Sequence, residues 1–82
     1  MDTYEIILRL RAGIACGRES TCSTKKCYGS ETLAHAIARS LSQKTGKKLE
    51  AYPCVFCGNW HIGNKIDIDK LEELANQLDD MI

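Results

Sequence analysis

Eighty-two residues with five cysteines and 27% charged side chains make one small domain. That is too short for two, with a modest core of the kind that often needs a metal or disulfides. No run is long and apolar enough to cross a bilayer, and the opening MDTYEIILRLRAG lacks the unbroken apolar stretch of an export signal. The expected setting is therefore cytoplasmic and reducing, where clustered cysteines bind metal more often than they form disulfides. The zero net charge is a cancellation: residues 1–66 carry ten Lys/Arg against five Asp/Glu, and residues 67–82 one against six. Such asymmetry usually concerns partners rather than fold.

In chain order, TYEIILRL (3–10) places Tyr4, Ile6, Leu8 and Leu10 at period two, which predicts a half-buried N-terminal strand with Ile7 off the pattern. AGIACGRESTCST (12–24) is small and polar and reads as a loop or hairpin turn, and KKCY (25–28) as a short strand. Ser30 then precedes the helical run ETLAHAIARSLSQKT. There Leu33, Ala34, Ile37, Ala38 and Leu41 form one stripe, and His35, Arg39 and Ser42 face away. Ser30 suits an N-cap, Glu31 the positive helix start, and Lys44 with Gly46 the stop.

KKLEAYPC (47–54) predicts a returning strand, with Pro53 marking an edge. NWHI alternates again, Trp60 and Ile62 pointing one way and His61 the other. The last segment, 67–82, predicts an acidic amphipathic helix capped by Asp67. Ile68, Leu71, Ala75, Leu78 and Ile82 make its apolar seam, and Leu74 and Met81 widen it.

The chemistry concentrates in YPCVFCGNWHIG (52–63). Cys-x-x-Cys lets two thiolates reach one zinc ion from a tight turn, and Gly58 supplies the positive φ such a knuckle needs. His61 lies four residues past Cys57, on the strand face opposite Trp60 and Ile62. Cys54, Cys57 and His61 are thus three candidate ligands, and the fourth comes from Cys16, Cys22 or Cys27, among which spacing does not choose. Redox chemistry would place Cys-x-x-Cys at a helix start, whereas a glycine and a strand follow it here. A catalytic zinc would want an open position and an adjacent Glu, which the motif lacks. The expectation is a structural Zn2+ and no enzyme activity.

From Cys22 onward, C-x2-K-x2-Y-x-S, an alanine-rich helix and G-x2-L-x2-Y-x-C-x2-C-G-x-W-H-I-G together resemble small Cys/His zinc fingers of phage and bacterial mobile-element proteins. Lys25, Tyr28 and Ser30 match the leading part, and Tyr52, Cys54, Cys57, Trp60 and His61 the closing part. The resemblance spans roughly residues 22–63 and implies a compact ββα-type finger with Cys22 as the leading ligand. Cys22 stands one residue farther from Lys25 than the pattern has it. Cys27, which has no counterpart there, remains a substitute.

The composite expectation is an α+β single domain over 1–82: a ββα-type finger core at 22–63, an extra N-terminal strand and the C-terminal helix. Around the finger, Lys25, Lys26, Arg39, Lys44, Lys47, Lys48 and Lys65 outnumber Glu31 and Glu50, so phosphate neutralisation by a nucleic-acid partner is one expected role. The alternative is a protein-interaction module, an inhibitor of a host protein among the options. In that role the helix would offer Ile68, Leu71, Leu74 and Leu78 to a partner or a second copy, as a homodimer. The same helix could equally pack on its own domain.

Overall fold

A computed structural model describes residues 2–81 of the chain, and its first element is a helix, not a strand. Helix α1 spans Thr3–Cys16, with the Asp2 carboxylate accepting the Glu5 backbone N–H at 2.9 Å. Nearly every residue from Ile6 to Ile14 is apolar or long-stemmed, so periods of 2 and 3.6 fit equally well. Burial decides between them: Leu8, Arg9, Ala12 and Gly13 form the inward face, at the i, i+4 spacing of a helix. Gly17 ends it at φ +92°, its N–H bonded to the Gly13 carbonyl.

A single π-helical turn, Glu19–Ser23, occupies the predicted loop. The predicted strand at 25–28 shrinks to one bridge, in which Tyr28 and Trp60 exchange both backbone hydrogen bonds at 2.8 Å. Helix α2, Glu31–Thr45, has the expected ends: Ser30 Oγ accepts the Leu33 N–H, and Gly46 takes φ +72°. Its buried face is rotated from the predicted stripe. Ala34 and Ala38 are buried, Leu33 is 51% exposed, and Ser42 turns inward so that its Oγ accepts the Leu49 N–H at 3.0 Å. Small residues win the inner face because α2 lies close against the sheet.

That sheet is one antiparallel hairpin of β1, Leu49–Pro53, and β2, Trp60–Asn64, in register from Leu49↔Asn64 to Pro53↔Trp60. Helix α3, Ile68–Met81, closes the chain. The α+β class holds, but the extra N-terminal element is helical and the only strand pair among the described residues follows α2, so the ββα order is not the one observed.

Two small cores result. In one, Leu8 and Ala12 of α1 meet Leu71 and Ala75 of α3, with Ile66 and Leu74 against them. The Tyr4 hydroxyl donates to Glu72 Oε2 (3.0 Å), and Arg11 Nη2 to Asp79 Oδ1 (2.7 Å); both pairs lie 68 residues apart, so α1 and α3 run parallel. In the other, Ala34, Ala38 and Ala51 are covered by Tyr28, Trp60 and Ile62. Leu71 is 2% exposed and spent on the chain's own core, which removes it from the expected partner face. Leu74 and Leu78 are half-buried, and Ile68 alone of that set is well exposed. Ile82 and the Met81 side chain, both assigned to the seam by spacing, lie outside the described residues.

Candidate metal centre

The turn between β1 and β2 builds the first half of the site. The Cys54 N–H donates to the Asn59 carbonyl (2.8 Å) and the Gly58 N–H to the Cys54 carbonyl (3.1 Å). The chain reverses tightly enough only because Gly58 sits at φ +74°. Cys54 and Cys57 thereby project from one turn, and His61 reaches them from β2.

His61 is fully buried. Its Nδ1 lies 2.8 Å from the Lys26 carbonyl, a contact in which only an N–H can donate, so the lone pair sits on Nε2. That atom is 3.4 Å from Cys57 Sγ. A histidine held this way, with the far nitrogen anchored to a backbone carbonyl, is oriented as metal-ligating histidines are.

The π-helical turn brings in Cys22. Ligand atoms of Cys22, Cys54, Cys57 and His61 all lie within 4.8 Å of one another. A tetrahedral ion with Zn–S bonds of about 2.3 Å spaces its sulfurs about 3.8 Å apart, so a small contraction brings all four into contact. Three soft thiolates and an imidazole fit a d10 divalent ion, and the group can hold a metal. Cys27 is an exposed thiol outside this foursome, pushed up by desolvation and then by the neighbouring Cys57 sulfur. Cys16 stands at the end of α1, exposed and also outside it.

The electrostatics favour a cation. Desolvation, followed by the neighbouring Cys54 and Cys57 sulfurs, pushes the Cys22 thiol up to about 12. Cys57 moves the other way, lowered first by the Asn59 backbone N–H, with hydrogen bonds from the adjacent thiols adding to the effect. Three clustered sulfurs cannot share negative charge without an ion between them, and a divalent metal removes that penalty.

All seven lysines and arginines assigned to a nucleic-acid surface are exposed, but they do not share one face. Lys25, Lys26 and Lys47 line a groove with Tyr28, Leu49 and Ile62. Arg39 lies instead with Glu31 and His35 on the flank of α2 that borders Glu50 of β1. His35, expected on the outer face, is half-buried, its ring 5.4 Å from that of Trp60 and its Nε2 3.7 Å from Glu31.

Sequence reasoning missed one polar residue entirely. Arg9 is 8% exposed, 3.5 Å from Glu50 Oε1 and 4.2 Å above the Tyr52 ring. The helical phase places it beside Leu8 on the buried side, a position that period two sends to solvent. No family model, curated protein or solved structure matches the chain at a significant level.

Proposed function

We propose that the chain is a zinc-stabilised, non-enzymatic module that binds nucleic acid through phosphate contacts, in a reducing, cytoplasmic setting. The observation that carries this reading is the hydrogen bond from buried His61 to the Lys26 carbonyl. It joins the metal centre directly to the basic segment. Cys22 would be bound to the ion, Lys26 is held by His61, and Tyr28 is bridged to Trp60, so residues 22–28 are pinned at three points. A bound zinc would thus fix Lys25 and Lys26 opposite Lys47, across a groove whose wall includes the Tyr28 ring. Lysines set this way neutralise phosphates without reading bases. The resemblance to mobile-element fingers supports the same ligand set and is neutral on the partner.

Fluorescence anisotropy of the zinc-loaded chain with labelled single-stranded and duplex oligonucleotides, across a salt series, tests this. Binding should weaken steeply with salt. Replacing Lys25, Lys26 and Lys47 by Ala should flatten the log–log slope by about two to three, near 0.7–0.9 for each phosphate no longer neutralised. Salt-independent binding, or an unchanged slope in the triple variant, refutes it.

A protein partner is the second reading, favoured by one observation. Tyr4 and Ile7 are each 51% exposed and Ile14 is 39% exposed, on a shared face of α1. An interaction surface would involve this face and Ile68 rather than the α3 seam.

A further inference from the structure

Between α1, the π-helical turn, the hairpin and α3 lies a cavity of about 230 Å³, lined by none of the four candidate metal ligands. Its walls are largely apolar, from Ala12, Gly13, Ile66 and Leu74. Arg9 lines it with its side chain more than nine-tenths buried, and Arg9 Nη1 has no hydrogen-bond partner. The Glu50 carboxylate at 3.5 Å pairs with it by charge but not by a directed bond, and Glu50 is itself occupied by the Ile66 N–H. A buried guanidinium with unmet donors is a costly feature to keep without a ligand.

Three of the neighbouring hydroxyls are already committed. Thr21 Oγ1 donates to the Gly13 carbonyl, Ser20 Oγ to the Cys16 carbonyl, and the Tyr52 hydroxyl to the Thr21 carbonyl. Arg9 and Lys25 are the two cationic residues that line this space. Arg9 Nη1 is closed to solvent, so a ligand would meet the guanidinium from its Nη2 edge, beside Gly63, where a Cβ would press on the Tyr52 ring at 3.2 Å.

We propose that this cavity binds a small monocarboxylate with an apolar tail, its carboxylate held by Arg9 and Lys25 and its tail against Ala12, Ile66 and Leu74. A monoanion fits because two positive groups are set against one nearby carboxylate, Glu50. A guanidinium fork suits a carboxylate better than a point charge does. The volume is below that of drug-sized sites, which points to a ligand of few atoms.

The test is amide-resolved NMR on the full zinc-loaded chain, titrated with sodium hexanoate and, separately, with 1-hexanol. Hexanoate should move the Gly13, Thr21 and Gly63 amides saturably, with a Kd of about 1 mM. Hexanol, with the same tail and no charge, should bind at least about tenfold more weakly. Lys25→Gln, at an exposed position, should weaken hexanoate several-fold while leaving the amide spectrum elsewhere unchanged. Arg9→Lys, which keeps the charge and loses the fork, should weaken it further. Equal shifts with both ligands, no saturable shift with either, or a Lys25→Gln variant that binds as tightly as the parent each overturns the proposal.

Discussion

Removing the metal should unfold the chain, and the structure indicates why. Of the nine buried apolar residues among those described, five are alanines, and the core beneath the hairpin is built on Ala34, Ala38 and Ala51. At about 0.8 kcal/mol per buried carbon, three methyl groups contribute roughly 2–3 kcal/mol. Tyr28, Trp60 and Ile62 add partial burial to that. Ordering residues 22–64 costs at least about 1 kcal/mol per residue in backbone entropy, so this half depends on its ligands. Small structural zinc sites contribute about 10–16 kcal/mol, against a net stability of about 5–15 kcal/mol for ordinary domains. Far-UV circular dichroism during titration with a strong chelator, with zinc measured in parallel by native mass spectrometry, should show loss of helical signal at one equivalent. A metal-free chain that keeps its helical signal and melting temperature refutes the reasoning.

Other outcomes follow from the same geometry. Cys22→Ser should lower zinc affinity by at least about 100-fold, whereas Cys27→Ser and Cys16→Ser should keep one tightly bound ion, as competition with a chromogenic chelator would show. Leu71→Ala, in the core between α1 and α3, should cost about 2–4 kcal/mol, read as a fall in the denaturant midpoint at saturating zinc. Zinc uptake at neutral pH should release protons, because Cys22 is a thiol there, with its pKa pushed up to about 12, and must ionise to bind. Apparent affinity therefore rises with pH and falls on acidification. Calorimetry in buffers of differing ionisation enthalpy measures the proton count, and a count of zero contradicts a thiolate site.

Local chemistry was legible in the sequence wherever one residue type answers one need. Gly58 after Cys57, Ser30 before α2 and Gly46 after it each meet a backbone demand that few other residues satisfy. Cys54, Cys57 and His61 could be paired by spacing alone, and Cys22 was added by resemblance; the structure gathers all four. The N-terminal element was not legible from periodicity, because Ile6, Ile7, Leu8 and Leu10 satisfy both periods. Only the packing of Leu8 and Ala12 on Leu71 and Ala75 chooses the helix. A quieter signal was present: Asp2-x-x-Glu5 has the form of a capping box, and Asp2 does cap α1. Arg9 escaped notice for the same reason, since its burial depends on helical phase and on Glu50 and Tyr52 some forty residues away.

The parallel course of α1 and α3 sets an order of assembly. Side-by-side helices pointing the same way need a connector that travels back along their full length, and here residues 17–67 serve as that return path. Their meeting is the most sequence-distant pairing among the described residues, with the largest loop to close, so it should form last and open first. Hydrogen exchange should accordingly find the amides of α1 and α3 less protected than those of the hairpin, where a bound ion would act as a rivet while the two helices lift as a flap.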